Sequence, residues 1–183
     1  VSDWPSGAYL EAGPTVHTGS LESAGAELVG GGGSIVNATT QAFPAANRAY
    51  GHAFYNLGRQ PIVATMLFWL NGATMSGNCD IGIYDARFQR IVSSGPVPQA
   101  GINAAQVVSI SPTPLPPGGP YHFALAMDNG AGHVMRNTPF SGQINFCGGF
   151  MAIAGYPLPA SLTAVYSSAN YWFLLGLSQR SFF

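Results

Sequence analysis

Apolar and polar positions alternate most cleanly in Tyr121-His122-Phe123-Ala124-Leu125-Ala126-Met127-Asp128. Tyr121, Phe123, Leu125 and Met127 share one face, with His122 on the other. A period of two predicts a half-buried β-strand, and Asp128-Asn129-Gly130 ends it with turn residues. Asp80-Ile81-Gly82-Ile83-Tyr84-Asp85 repeats the pattern with Ile81 and Ile83 on one face. Ala86 to Gln89 then make a turn, and Arg90-Ile91-Val92-Ser93 returns as the second arm of a hairpin. Ile62 to Leu70 is apolar on both faces, as in a central sandwich strand. Gln106 to Ile110 places Val108 and Ile110 together. Further strands are predicted near His133–Arg136, Gln143–Cys147, Phe150–Ala154 and Tyr171–Leu177.

Pro112 to Pro120 contains five prolines, and the loss of five backbone donors predicts neither strand nor helix there. No segment carries a sustained helical stripe. Eight or more short strands separated by turn signals predict an all-β fold, a two-sheet antiparallel β-sandwich or jelly roll.

The first 45 residues read differently. They hold few periodic segments, many small residues and the run Gly30-Gly31-Gly32-Gly33. Four consecutive glycines carry a conformational entropy that disfavours helix and strand alike. Residues 1–45 are therefore expected to form an extended N-terminal arm with a Gly-rich linker, and residues 46–183 the β-sandwich domain. Trp4, Tyr9 and Leu10 are its candidate anchors. At the other end Phe182 and Phe183 add two aromatic rings with nothing local to cover them, and these five residues are the candidate assembly contacts.

Composition sharpens this picture. Six arginines, seven acids and no lysine occur in 183 residues, while 47% of the residues are apolar. Lysine is the residue most often kept at solvated surfaces and depleted from interfaces, so a surface almost without it is expected to be covered by neighbours. A net charge of −1 with scattered arginines argues against nucleic acid, whose phosphates require clustered cations. No run of about 18 apolar residues predicts a membrane span. The opening Val-Ser-Asp-Trp-Pro shows no basic region followed by an apolar one, so no signal peptide is expected.

Motifs for chemistry are weak. There is no Gly-x-Ser-x-Gly elbow, and His17, His52, His122 and His133 lack metal-ligand spacing, so neither catalytic residues nor a cofactor or metal is expected. His122 reads as a polar-face strand residue. Asp80 and Asp85 are five residues apart on one strand and point to opposite faces, which keeps them from converging as an acid/base pair. Asp128 reads as a turn cap rather than a calcium ligand. Cys79 and Cys147 lie in short apolar stretches, and two buried thiols are favoured over one disulfide because the rest is no disulfide scaffold. Asn37-Ala38-Thr39 matches a glycosylation acceptor, a tripeptide frequent by chance. Trp69 and Trp172 sit in continuous apolar strands, where core packing explains them better than a sugar-binding platform.

Gly77-Asn78-Cys79-Asp80-Ile81-Gly82-Ile83-Tyr84-Asp85 leads to the hairpin return Arg90 to Gly95, followed by Leu115-Pro116-Pro117-Gly118 and Tyr121 to Asp128. This order resembles β-sandwich domains in structural proteins of tailed bacteriophages, including head-decoration, tail-fibre and receptor-binding proteins. The likeness spans roughly residues 60 to 136. It implies a virion location, assembly with copies of itself as a homotrimer, and contact with the major capsid protein or another virion component. A non-enzymatic virion structural protein is thus expected, with capsid decoration preferred because one small domain without a coiled-coil stalk suits a surface cement. The alternative is a tail-fibre, receptor-binding or carbohydrate-binding adhesin.

Overall fold

A computed structural model describes residues 19–21, 26–31, 39–56, 58–137, 150–166, 172–173 and 175–178. Among these residues there is no helix, and the strands assemble into three antiparallel sheets. The first sheet has the order β1-β2-β15-β5-β9, built from Gly19–Leu21, Ala26–Gly31, Leu175–Ser178, Ile62–Leu70 and Ala105–Leu115. The second runs β13-β12-β4-β10-β6-β7, from Ala164–Tyr166, Phe150–Ala152, Ala49–Asn56, Gly118–Met127, Asn78–Tyr84 and Arg90–Ser93, with β8 (Val97–Pro98) also on β6. A small third sheet joins β14 (Trp172–Phe173), β11 (His133–Asn137) and β3 (Thr39–Ala42). The all-β sandwich read from the alternation is present.

The main core lies between the first two sheets. Tyr121, Phe123, Leu125 and Met127 of β10 and Cys79, Ile81 and Ile83 of β6 face Leu67 and Trp69 of β5 and Leu175 and Leu177 of β15. Phe123 stacks on Phe54 with centroids 4.2 Å apart. These are the positions that the period of two assigned to the buried face.

Strand β5 explains its doubly apolar sequence. Its pairing with β9 shifts between Ala64 and Met66, so that Thr65 alone lies opposite Ile110, Ser111 and Pro112. The bulge changes the phase of the pleat. Ile62 and Ala64 point into the core before it, Leu67 and Trp69 after it. Met66, Phe68 and Leu70 are buried as well, which makes this stretch continuous in its burial.

Two expectations are corrected here. The proline-rich stretch is partly strand: β9 continues through Pro112 and Pro114 to Leu115, and β10 starts at Gly118. β9 is the edge of its sheet, where a missing donor can face away from the ladder, and Pro112 falls inside the bulge. The glycine run is also partly strand, with Gly30 paired to Gly176 and Gly31 to Leu175. Tertiary pairing with β15 outweighs the local entropy there. Within the segment expected as an extended arm, the described stretches Gly19–Leu21, Ala26–Gly31 and Thr39–Ala42 are strands of two of the sheets.

Candidate functional site

Register places many loops at one end of the sandwich. Leu70 of β5 pairs with Ala105 of β9, Met127 of β10 with Cys79 of β6, and Ala49 of β4 with both Ala126 and Ala152. Loops 43–48, 71–77, 99–104, 128–132 and 153–157 therefore share this end. Side-chain amides tie 71–77 to 99–104, and backbone bonds tie 43–48 to 128–132 (Phe43 N to the Gly132 carbonyl, 2.8 Å) and 153–157 to 43–48 (Gly155 N to the Asn47 carbonyl, 2.8 Å).

Asn71, fully buried just beyond β5, is the hub. Its Oδ1 accepts from the Trp69 indole at 2.7 Å and from Gln99 Nε2 at 2.9 Å. Its Nδ2 donates to Gln106 Oε1 at 3.0 Å and to the Ala100 carbonyl. Gln99 also donates to the His133 carbonyl and accepts from Ser76 N, while Gln106 donates to the Pro98 carbonyl. A buried network satisfied in this way holds its loops in one arrangement. Asp128 adds a second tie, accepting from Asn78 N at 3.0 Å, Asn78 Nδ2 at 2.7 Å and Asn129 Nδ2 at 2.8 Å. It is a cross-strand tie rather than the expected turn cap: the turn's own N–H groups, Ala131 N at 2.9 Å and Gly132 N at 3.3 Å, donate to Asn129 Oδ1. Thr40 Oγ1 accepts from Ala73 N and lies 3.3 Å from His133 Nδ1.

From this braced end project the two most exposed large apolar side chains among the described residues, Ile102 (64% exposed) and Ile153 (65%). Ile102 sits between Gly101 (φ 87°) and Asn103 (φ 51°), whose left-handed backbone forces a tight turn and pushes the side chain outward. Arg48 and Asp128 are the charged residues on these five loops. The opposite end is more basic, with Arg59 and Arg87 exposed on loops.

The second notable region is the outer face of the seven-stranded sheet. Ala49, Ala124, Ala126, Tyr84 and Phe150 line it, and Leu158 and Leu162 cover it. The cover is residues 153–163, the long connection of the β12–β13 hairpin, which crosses the sheet as a strap. Gly82 makes room for it, since a Cβ there would lie 2.9 Å from Leu158 Cδ1 and 2.7 Å from the Val92 carbonyl.

Directed bonds hold the strap. Leu158 N donates to Asp80 Oδ2 at 2.9 Å, Tyr84 donates to the Pro159 carbonyl at 2.8 Å, and Arg90 N donates to the Ala160 carbonyl at 2.8 Å. The Arg90 guanidinium donates to the Leu158 carbonyl, and Leu162 N donates to the Phe88 carbonyl at 3.0 Å. Asp80 is buried, and burial raises its carboxyl above the ordinary range against the lowering pull of its hydrogen bonds and Arg90. Burial likewise pushes the Tyr84 phenol up.

His122 corrects the expectation of a polar-face residue. It does face away from Phe123, but it is 1% exposed beneath this cover. Its ring stacks on Phe88 at 4.2 Å and meets the edge of Phe150 at 5.8 Å. Nδ1 donates to the Asp85 carbonyl at 3.1 Å, which assigns the proton to that nitrogen, while the buried Nε2 has no hydrogen-bond partner among the described residues. Burial lowers its pKa from the ordinary 6.5, more than the Asp85 carbonyl and carboxylate raise it.

The remaining candidates stay apart. His52 pairs with Phe123 across β4 and β10 and so lies on the core face, with centroids 5.8 Å from Phe123. His122 is on the other face, and His133 is at the loop end. Asp80 and Asp85 do not converge: Asp85 Oδ1 caps its own turn, accepting from Arg87 N at 2.8 Å and Gln89 N at 2.9 Å. Among the described residues no group of three or more His, Cys, Asp or Glu side chains is arranged to hold a metal. Cys79 is a buried free thiol pushed up to about 12, first by burial and then by Asp128 and Asp80, so it is a packing residue. Trp69 is fully buried and cannot serve as a sugar platform. Trp4, Tyr9, Leu10, Phe182 and Phe183 lie outside the described residues, as do His17, Asn37 and Cys147.

The amide hub was missed by sequence reasoning because Asn71, Gln99 and Gln106 stand 28 and 35 residues from one another in pairs that no local pattern connects. Comparison with protein-family models, with curated proteins and with solved structures gives no match to this chain.

Proposed function

We propose that this chain is a non-enzymatic virion structural protein, a capsid decoration protein that associates with copies of itself and seats on the particle through its loop-bearing end. One observation carries the reading. The buried or bridging polar side chains brace the molecule's own backbone, while Ile102 and Ile153 project from loops with almost no charge beside them. Such an end offers apolar area on a rigid support and little else. Full burial of each isoleucine contributes about 1.5–3 kcal/mol before the entropy of association is subtracted. The virion setting and the trimeric order come from the resemblance of residues 60–136, and the lysine-free surface agrees with a protein covered by neighbours.

The test is the double variant Ile102→Ser/Ile153→Ser, read by mass in solution and by co-sedimentation with undecorated phage shells. At least tenfold weaker assembly and shell binding is expected, and wild-type binding should persist in molar salt. Unchanged assembly in the variant, or dissociation of the wild type by salt, would overturn the reading.

A further inference from the structure

We propose that residues 153–163, together with the Phe88 turn, form an acid-released cover over the outer face of the seven-stranded sheet, with buried His122 as its trigger. This goes beyond the assembly role and does not depend on it: Ile153, at the strap's first position, belongs to both, but the bonds that hold the cover lie at residues 158–162. The cover is one unit: Leu162 N is bonded to the Phe88 carbonyl, Gln89 Nε2 to Ser161 Oγ at 2.9 Å, and Arg90 N to the Ala160 carbonyl. Opening it requires no strand to leave the inter-sheet core, since the strap is a loop between β12 and β13 and β13 is an edge strand.

Neutral His122 suits its site. One ring nitrogen donates to the Asp85 carbonyl, and the other faces apolar surroundings. An imidazolium does not suit it, because Nε2 would then carry an N–H with no acceptor and the ring a charge without water. The groups around it do not repair this. Tyr84, paired with it on β6, already donates to the Pro159 carbonyl. On β4 its neighbour Ala53 and nearby Gly51 offer no polar side chain, and Tyr55, the third residue of that face, makes no hydrogen bond to Nε2. Phe150 of β12 presents a ring edge. The strap carries no charged residue, and its one titratable side chain is Tyr156. Arg87 and Arg90 on the turn and β7 add positive charge, which disfavours a second cation. Asp80 lies four residues farther along the ladder (it pairs with Ala126) and is occupied with Leu158 and Ser94. Two features favour the cation, the Asp85 carboxylate and the face of Phe88, but the first is committed to its turn and the second is a weak attraction.

The sign follows from linkage. A histidine whose folded-state pKa is depressed favours the closed form most above its ordinary value of 6.5. That advantage is lost as pH falls below 6.5 through the lower closed-state value. Acid therefore opens the cover, exposing Phe150, Tyr84 and the alanine-lined sheet face, while the inter-sheet core stays closed.

Hydrogen exchange of the full chain tests this, comparing the strap amides of Leu158 and Leu162 with the core amides of Ile81 and Leu125 at pH 7.5 and 4.5. After correction for intrinsic exchange, the strap amides should lose at least tenfold protection in acid while the core amides keep theirs. His122→Gln, which retains a donor but does not titrate, should abolish the acid loss and leave strap protection unchanged or raised in acid, because burial raises the Asp80 carboxyl that holds Leu158 N and acid therefore favours the closed strap through it. Unchanged strap protection, a parallel loss in the core, or the same acid response in His122→Gln would each overturn the proposal. Should that variant not fold, the His122 ring titration in the wild type, followed by nuclear magnetic resonance, must share its midpoint with strap opening. Separate midpoints would refute the trigger.

Discussion

The two faces of the seven-stranded sheet are built from the same strands by opposite means. Toward the core, β10 and β6 present Phe123, Leu125, Met127, Ile81 and Ile83, large side chains that interdigitate with the other sheet. Toward the strap, the alternate positions are Ala124, Ala126, Gly82 and Asp80, mostly small, with His122 and Tyr84 as the exceptions. The first face is held by non-directional apolar burial, which tolerates acid and salt. The second is held by a smaller apolar cluster together with several directed hydrogen bonds to a loop, so removal of one acceptor or addition of one proton matters there. Burial alone thus does not tell how a surface is held.

The largest effect is expected in the core. Phe123→Ala removes a ring that stacks on Phe54 and should cost about 3–5 kcal/mol, since the surrounding β-sheet collapses only partly into the space. Thermal or denaturant unfolding measures it. A loss no greater than that of strap variants would mean that the two faces contribute alike and would break the comparison.

Asp80→Leu should come next. It leaves the buried Leu158 N without its acceptor and should destabilise by about 1–3 kcal/mol. The more informative readout is local: strap amides should lose protection before core amides do. Uniform loss across the molecule would show the strap to be an integral part of the core.

The contrast between the faces also explains what the amino-acid pattern revealed. Alternation in Tyr121–Asp128 and Asp80–Asp85 exposed the core strands because each large apolar side chain there answers to the same period of two. The turn at 86–89 was legible because Asp85 caps it locally. The strap was not legible, since Leu158 reaches Asp80 across 78 residues and residues 153–163 have no period of their own. His122 looked like a surface residue because its face is polar by pattern, and only that distant loop makes it interior. The prolines of β9 misled for a related reason: their cost depends on lying at a sheet edge, a property of the assembled sheet. Of the candidate site, the turn at Asp-Asn-Gly was readable, whereas Asp128's tie to Asn78 across 50 residues, the exposure of Ile102 and the amide hub follow from segments meeting in space.

The smallest effect separates charge from hydrogen bonding at the strap. Asp80→Asn keeps an oxygen to accept from Leu158 N and removes a buried carboxylate, so at pH 7 it should change stability by no more than about 1 kcal/mol. Its pH dependence should be larger than its mean effect. Burial raises the Asp80 pKa in the folded chain, so the stability linked to it is fully present below the unfolded value near 3.8 and is lost as pH rises through the folded value. Acid therefore favours the folded wild type through Asp80 while disfavouring it through His122. With Asp80→Asn the first contribution disappears, and stability should fall more steeply between pH 6.5 and 4 than in the wild type. Melting curves at both pH values measure the slope. If Asp80→Asn instead melts as low as Asp80→Leu at pH 7, the ionised carboxylate rather than its acceptor geometry holds the strap, and the outer face is an electrostatic clasp.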